Sequence, residues 1–395
     1  MWDRFSAAEM ERRFALARGL MDEHDLGALV IFGNSGTNRA NMANAFWLSN
    51  HLDLHHCYLV VPREESQQAA LYTGLTNHVP NARETSDVPV VEWGGYDPAA
   101  TIAARVGAIG AARARLGLVG INATFSMGMP YAHHERLRAA LPDAELFDVT
   151  AAFQRLRLVK SDEELEWLRR AAELTDKAIL AVAEGARPGV SEIELVALGE
   201  AAYRAYGGMA RIMFLRSMAM DDPLGCLPAQ NPSHRRLRAG DVIITEFSAS
   251  YWGYTGQIHR PIFVEAEPTS EWQRLFDVAR AAYDTIAETL RPGATTADAI
   301  RAAAPIRDAG YDIYDDLVHG YGVDITPPLI DRIQFASPPA GGGARFERSM
   351  TVVVQPNPIT PDERMGLQLG ALTVVGDGGA ESLHGVPFEP LLAAA

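Results

Sequence analysis

The chain contains only two cysteines among its 395 residues, Cys57 and Cys226. They are far apart and do not form a CxxC pair, which excludes a disulfide framework and a zinc site built from thiolates. Such low cysteine usage is typical of proteins kept in a reducing compartment. We therefore expect a cytoplasmic location.

Basic residues and long apolar runs are also scarce. Lys and Arg number 35 against 50 Asp and Glu, for a formal net charge of −15, and the basic residues are scattered along the chain. This pattern argues against a nucleic-acid partner. No apolar run approaches the roughly 18 residues of a membrane span, and the segment 1–27 carries acidic residues throughout, unlike a signal peptide. We expect no membrane partner.

Hydrophobic periodicity is abundant and changes character along the chain. A helical period over 6–25 is followed by alternating apolar strands and helical stretches, which is typical of an α/β layer. Long amphipathic helices and then groups of strands follow, which predicts an α+β domain. Ser161 and Glu164 form the capping box that opens the first of these helices. The sequence therefore predicts two domains, 1–155 and 156–395, as the length also favours.

Individual elements are predicted from the same patterns. The predicted strands are 28–33, 57–62, 69–74, 88–93, 116–122, 211–219, 241–249, 258–265, 351–355 and 368–376. The further predicted helices are 97–114, 131–141, 191–206, 270–290 and 296–309.

Four separated motifs carry the strongest signal. They are LRLVKSDEELEWLRRAAELTDKA (156–178), AGDVIITEFSASYWGYTGQIHRP (239–261), HGYGVD (319–324), and MTVVVQPNP (350–358) followed by GLQLGALTVV (366–375). In this order the motifs resemble the creatinase, prolidase and aminopeptidase P family (M24). The resemblance implies an α/β amino-terminal domain followed by an α+β carboxy-terminal domain with the pita-bread fold.

The resemblance also shows where the chain departs from the metal-dependent members of that family. Those members hold two metals with two Asp, one His and two Glu. The matching positions here are Glu246, Gln257, His319, Gln355 and Gly370. A divalent cation would meet one carboxylate and one imidazole, whereas hard cations need several carboxylates. We therefore expect no bound metal and no other cofactor.

A second departure concerns the further His that the family's peptidases carry seven residues after the metal His. Thr326 and Pro327 occupy that stretch, so the usual manner of peptide cleavage is not expected. The metal-free creatinase branch is the nearer match in character. Even there, Gln230 replaces the creatinase His, and His259 and Gln355 replace its guanidinium-binding Glu residues. A pocket without those anions should prefer a neutral or carboxylate-bearing substrate.

Glu246 and His319 are the first catalytic candidates. A Glu within the apolar stretch VIITEFSAS is costly to bury unless it is paired. The resemblance places both residues at one former metal, so we expect their side chains within hydrogen-bonding reach. Glu246 would then orient His319 as a general acid or base. The structural alternative is an ion pair left after metal loss.

His259 is the third catalytic candidate. It alternates with Gln257 on one strand, so both side chains should point to the former metal face. A register slip of one residue would instead turn His259 outward.

The remaining candidates are assigned to substrate binding: Gln257, Gln355, Tyr254 and Gln230 in the carboxy-terminal domain, and Asp53 and His55 in HLDLHHC (51–57). The alternatives are packing for Tyr254 and a merely solvated or core-satisfied histidine cluster for 51–57. In the family, the segment that matches 51–57 closes over the partner's active site. The resemblance therefore implies a homodimer whose sites are completed by the partner's amino-terminal domain.

From these residues we expect a metal-independent hydrolase of a small-molecule substrate, acting on a non-peptide C–N bond of an amide or amidine. Three alternatives stay open. One is a lyase that abstracts a proton with the same residues, and another is a non-catalytic pita-bread binding module. The third is a metallopeptidase of Xaa-Pro type with an unorthodox ligand set of Glu246, His259, His319 and Asp324.

Overall fold

A computed structural model describes residues 3–36, 39–121 and 128–393. The chain divides into two compact units, Met1–Arg157 and Leu158–Ala395. Among the helices in the described ranges, none is long and apolar enough to cross a membrane.

The amino-terminal unit is an α/β layer around one six-stranded sheet of order β4-β3-β2-β1-β5-β6. Its helices are α1 (Ala7–Glu23), α2 (Ala43–Ser49), α3 (Val79–Thr85), α4 (Pro98–Ala108), α5 (Tyr131–Ala140) and α6 (Thr150–Leu156), with short 3-10 helices at Ala40–Met42 and Thr76–His78. Its strands are β1 (Ala28–Asn34), β2 (His56–Pro62), β3 (Ala70–Thr73), β4 (Val90–Trp93), β5 (Arg115–Val119) and β6 (Glu145–Asp148).

The sheet of this unit is mixed, since β1 pairs antiparallel with β2 and parallel with β5. Strands β1 and β2 are continuous apolar runs because helices cover the sheet, so alternation with polar residues is not needed. Val30 and Val60 pack in one core with Ile102 and Val106 of α4.

The carboxy-terminal unit combines six helices with a large sheet. Its helices are α7 (Asp162–Gly185), α8 (Glu192–Arg204), α9 (Ser270–Thr289), α10 (Thr296–Ala302), α11 (Ala304–Asp308) and α12 (Arg332–Ala336). Its strands are β7 (Met209–Ala219), β8 (Asp241–Tyr251), β9 (Tyr254–Thr255), β10 (Ile258–His259), β11 (Ile262–Val264), β12 (Asp312–Ile313), β13 (Val318–Tyr321), β14 (Ile325–Ile330), β15 (Thr351–Val354), β16 (Pro358–Ile359), β17 (Gly370–Gly376), β18 (Gly379–Ser382) and β19 (Leu391–Ala393).

The large sheet runs β14-β13-β15-β17-β10-β8-β11-β19, with β7 and β9 also paired to β8 and β18 paired to β17. The capping box is confirmed, because the Ser161 side chain accepts from the Glu164 backbone and the Glu164 side chain accepts from the Ser161 backbone. Helix α7 then packs on the sheet through Ile179 and Val182, which share a core with Phe247 of β8.

Several predicted elements differ from those observed, and proline explains two of the differences. The helix predicted over 296–309 divides into α10 and α11, because Pro305 fits only the first turn of a helix. The strand predicted over 258–265 divides into β10 and β11, because Pro261 has no N–H for the ladder. The strand predicted over 116–122 is β5, and its predicted last residue lies outside the described residues.

Candidate active site

The large sheet brings most of the predicted site residues into one region. Glu246 lies on β8, His259 on β10 and His319 on β13. Gln257 immediately precedes β10, and Gln355 immediately follows β15. Proline at position 356 ends the strand, so the Gln355 side chain leaves the sheet at this edge.

The Gln257 amide lies at the centre of the site. Its Nε2 atom donates to Glu246 Oε1 at 3.1 Å and to Gln355 Oε1 at 3.2 Å, and it lies 3.4 Å from His259 Nε2. Gln257 and His259 thus share one face, and His259 is fully buried at 0% exposure, so the slipped register does not occur. An amide nitrogen carries two hydrogens. The Glu246 and Gln355 oxygens use both of these hydrogens, so the Gln257 amide has none left for His259.

The structure adds two carboxylates that sequence reasoning missed, Asp315 and Asp316, just before β13. Gln355 Nε2 donates to Asp316 Oδ1 at 2.6 Å, and Gln368 Nε2 donates to Asp315 Oδ2 at 3.0 Å. The Asp316 backbone N–H donates to Asp315 Oδ1 at 2.9 Å. The signal available in the sequence was an acidic pair placed directly before the HGYGVD motif.

The pKa values of all three carboxyl groups of this region are raised, chiefly by burial. Burial, followed by the charges of Asp315 and Asp316, raises the pKa of Glu246 to about 8. Burial and the neighbouring Asp316 raise the pKa of Asp315 to about 7, and burial raises that of Asp316 to about 6. Near neutral pH the Glu246 carboxyl is therefore mostly protonated. The site thus contains three carboxyl groups where the sequence predicted one.

His319 has the opposite tendency. Burial lowers its pKa and outweighs the raising effects of the Gly320 carbonyl, Asp315 and Gln355. The Nδ1 atom lies 3.2 Å from the Gly320 carbonyl oxygen, to which it can donate. This bond holds the proton on Nδ1 and leaves Nε2 as an acceptor. The imidazole is thus a neutral base at physiological pH.

The expected hydrogen bond between Glu246 and His319 is wrong. Within the described ranges, the hydrogen-bond partner of Glu246 is Gln257. The reason is the sheet order, since β10, β17 and β15 lie between β8 and β13. The two residues are linked indirectly, because Asp315 acts electrostatically on both.

Two other candidates lie elsewhere. The Tyr254 hydroxyl donates to Glu164 Oε1 at 2.6 Å, and its ring meets Trp167 edge-on at 5.7 Å between centroids. Tyr254 therefore has the packing role that was the alternative to substrate binding. Gln230 is exposed, and the structure gives it no contact with the Gln257 amide.

The neighbouring Arg260 is buried and points away from the site. Its guanidinium donates to the backbone carbonyls of His259 at 2.7 Å, Gly370 at 2.7 Å, Val386 at 3.0 Å and Pro387 at 2.7 Å. Burial lowers its pKa to about 10. Arg260 thus joins β10, β17 and the segment after β18 behind the site.

In the amino-terminal unit, Asp53 is buried at 2% exposure. It accepts from His78 Nδ1 at 2.6 Å, from the His55 backbone N–H at 2.9 Å and from His51 Nε2 at 3.3 Å. Burial alone would raise the pKa of Asp53, but these hydrogen bonds lower it to about 2. Asp53 is therefore held by its own unit. His55 is exposed, beside Leu54 at 64% exposure.

Comparisons with known proteins agree with this architecture. The family model of metallopeptidase family M24 matches residues 166–379, more than half of the chain. The model of the creatinase/prolidase N-terminal domain matches residues 13–159. A Xaa-Pro dipeptidase of Pyrococcus furiosus is 25% identical over 80% of this chain and 83% of its own. An uncharacterised peptidase of Bacillus subtilis is 27% identical over 67% of this chain and 72% of its own.

Among solved structures, the X-Pro aminopeptidase of Thermotoga maritima superposes with a TM-score of 0.81 at 20% identity, covering 97% of this chain and 99% of that one. This similarity concerns the fold. The family resemblance and the fold class, an α/β unit followed by a pita-bread unit, are both confirmed. The narrower placement beside the creatinase branch stays a prediction.

The same comparisons overturn the predicted reaction. The matching family is one of metallopeptidases, and named relatives are Xaa-Pro dipeptidases. The expectation of a metal-independent hydrolase acting on a non-peptide C–N bond is therefore wrong. Of the alternatives, the Xaa-Pro peptidase agrees best with these findings.

The metal that the family name implies does not fit the residues of this chain. In the described ranges, no group of three or more His, Cys, Asp or Glu side chains is arranged to hold a metal ion, so the unorthodox set with Asp324 is not assembled either. The amides of Gln257 and Gln355 bond to each other. A side chain at Gly370 has no room, since its Cβ would lie 2.4 Å from the Val354 carbonyl oxygen.

Proposed function

Because the chain belongs to metallopeptidase family M24, we propose that its carboxy-terminal unit binds short peptides of the Xaa-Pro class and hydrolyses them. The observation that carries the proposal is the coexistence, in one buried region, of a base and an acid with opposite pKa changes. His319 is a neutral imidazole whose Nδ1 atom can donate to the Gly320 carbonyl, and Glu246 keeps its proton to about pH 8. Such divergence is typical of acid–base pairs in enzymes.

In this proposal, His319 Nε2 accepts a proton from the water that adds to the peptide carbonyl carbon. The Glu246 carboxyl donates its proton to the departing nitrogen as the C–N bond breaks, and the two residues then re-equilibrate their protons with solvent. The Gln257 amide, which donates to Glu246 Oε1, positions the acid. No step is assigned to a metal ion.

The test is the release of free proline from a Xaa-Pro dipeptide, measured both in chelator and with added Mn²⁺. We expect cleavage by the wild-type protein in at least one condition. The variants His319→Ala and Glu246→Gln should each lose about 10²–10⁴-fold in rate, the usual contribution of a general acid or base. His234→Ala is the matched control, since His234 is exposed, and it should retain full activity.

A second candidate function is peptide binding without cleavage. It is favoured by the amides at former ligand positions, because Gln257 and Gln355 satisfy each other rather than an ion. Binding of the dipeptide without proline release in either condition would support this candidate and reject the peptidase.

Two further proposals concern the setting of the protein. We infer a cytoplasmic location, supported by the two free and buried cysteines. We also infer a homodimer, to which the exposed Leu54 and His55 would contribute contacts. The burial of Asp53 in its own unit argues that it supports this loop rather than reaching a partner.

A further inference from the structure

We propose that the amino-terminal unit holds a second binding site, for a small organic acid whose carboxylate is attached to an apolar group. The site is a cavity of about 300 Å³ between the end of α1, the start of β5, the edge strand β6 and helix α6. This volume lies at the lower end of the range of ligand pockets. Its lining residues all belong to the amino-terminal unit, so the inference does not depend on the proposed peptidase activity.

Two residues that line this cavity each have a nitrogen atom that is buried without a hydrogen-bond partner. The atoms are Nε2 of His24 and Nε of Arg115. His24 is the C-cap of α1, and Arg115 is the first residue of β5. Buried polar atoms are almost always hydrogen-bonded. Because an arginine Nε–H only donates, and a histidine Nε2–H donates in one of its neutral tautomers, one acceptor group in the cavity would satisfy both atoms.

The charge of Arg115 is only weakly compensated by its neighbours. Its Nε atom lies 3.6 Å from Glu145 Oε2, with the two side chains 42% and 65% exposed. This distance is too long for a hydrogen bond, and surface ion pairs contribute little. The guanidinium carbon lies 4.0 Å from the centre of the Phe147 ring. Stacking on the ring positions the guanidinium and leaves its Nε–H able to donate to a carboxylate.

The other two charged residues of the lining, Arg155 and Asp148, have opposite charges. Both are exposed, so solvent screens them. Asp148 Oδ1 also accepts from the Thr150 backbone N–H at 2.9 Å. Arg115, whose Nε atom is buried, therefore determines the charge of the ligand that this cavity prefers.

The apolar part of the lining identifies the rest of the ligand. Leu26, Val149 and Ala152 are buried, at 0%, 6% and 9% exposure. An apolar wall with a few placed polar groups is typical of small-molecule sites. A carboxylate at His24 and Arg115 would direct its hydrocarbon group to this wall, whereas an inorganic anion would leave the wall uncovered.

Titration calorimetry of the wild-type chain with phenylacetate tests the inference. Phenylacetamide is the uncharged ligand of the same shape, and we expect it to bind at least about 10-fold more weakly, because the charge-assisted hydrogen bonds are lost. Acetate should also bind at least about 10-fold more weakly, because it lacks the apolar group. Equal binding of phenylacetate and phenylacetamide, or no detectable binding of phenylacetate, would overturn the inference.

Two variants locate the site within the unit. Arg115→Met and His24→Leu each remove a buried nitrogen and keep an apolar side chain, and each should weaken phenylacetate binding by at least about 10-fold. His24→Gln keeps an N–H donor and should bind within about 3-fold of the wild-type chain.

Arg113→Met is the matched control. It removes the same charge two residues before Arg115, from a side chain that is 87% exposed, pairs with Asp143 and lies outside the cavity lining. Phenylacetate should bind this variant as it binds the wild-type chain. A loss of affinity in all three variants that lack a donor, or in none of them, would overturn the inference. The comparison of the acid with the amide uses the wild-type chain, so it holds even if a variant folds poorly.

Discussion

Two buried acidic sites, one in each unit, differ in how their carboxylates are satisfied. Asp53 accepts from two histidines and a backbone N–H, and its pKa falls to about 2. Glu246, Asp315 and Asp316 receive only neutral donors, and the pKa of each is raised. The same functional group is thus structural where its own unit supplies the partners, and poised for a ligand where it does not.

The pH dependence of stability should separate the two sites most clearly. Folded-state pKa values of about 8, 7 and 6 for Glu246, Asp315 and Asp316 lie above the ordinary values of 4.5 for Glu and 3.8 for Asp. The unfolded chain therefore loses these protons first, and stability falls as pH rises from about 4 through about 8. Calorimetry should show the transition of the carboxy-terminal unit moving down by several degrees between about pH 5.5 and about pH 8.5.

The Glu246→Gln, Asp315→Asn double variant should flatten that dependence. If stability still falls with pH as steeply in the double variant, groups other than Glu246 and Asp315 cause the pH dependence. Asp53 behaves oppositely, because its contribution is present above pH 3.8 and is lost as pH falls through about 2.

Asp53→Ala should destabilise the amino-terminal unit by about 2–4 kcal/mol, because it leaves His51 and His78 without their acceptor. The free energy of unfolding from a urea titration measures this. The exposed neighbour offers a control, and His55→Ala should change stability by less than about 0.5 kcal/mol. A similar loss in both variants would mean that the whole loop, rather than the carboxylate, stabilises the unit.

Restoring carboxylates at Gln257 and Gln355 should make the carboxy-terminal site a better cation ligand. We expect Gln257→Asp combined with Gln355→Glu to bind Mn²⁺ at least about 10-fold more tightly than the wild-type chain, because carboxylate number governs affinity for hard cations. Titration calorimetry checks this, with the exposed Gln68→Glu as the charge control. Equal affinity in all three proteins would show that the geometry, and not the charge, limits binding.

The smallest expected effect is that of Asp315→Asn on stability. Removing one of three like charges should stabilise the carboxy-terminal unit by about 1 kcal/mol at alkaline pH. The Asn carbonyl can accept from the Gln368 amide or from the Asp316 backbone N–H but not from both, because Asp315 uses one oxygen for each. The lost bond offsets part of the gain and keeps the net effect small. A loss of stability would instead mean that Asp315 has a favourable partner in the folded unit.

The sequence predicted those features of the site that depend on spacing within one motif. Gln257 and His259 share a face because strand side chains alternate, and Ser161 and Glu164 cap α7 as their spacing requires. The contact between Glu246 and His319 was not predictable in this way, because three strands separate β8 from β13 in the sheet.

The carboxylates of Asp315 and Asp316 were also not predictable from the sequence. In the sequence, Asp315 and Asp316 are typical of an ordinary turn before a strand. Their place in the site depends on hydrogen bonds from Gln355 and Gln368, which lie far along the chain. Long-range partners of this kind leave no local pattern. The sequence showed amides at the positions that match the family's metal ligands. It did not show that Asp315 and Asp316 lie beside them.

Gly370 also constrains how this site can evolve. A glutamate there would place its Cβ 2.8 Å from the Gln355 Cα and closer still to the Val354 carbonyl oxygen, so the backbone of β15 must move before that side chain is tolerated. Single substitutions at Gln257 or Gln355 are open to selection, whereas one at Gly370 is not. A selection for metal-dependent growth from a random library should therefore recover acidic residues at the first two positions and keep glycine at the third. Acquiring the full set of metal ligands would thus require a change in the backbone of β15 as well as in the side chains.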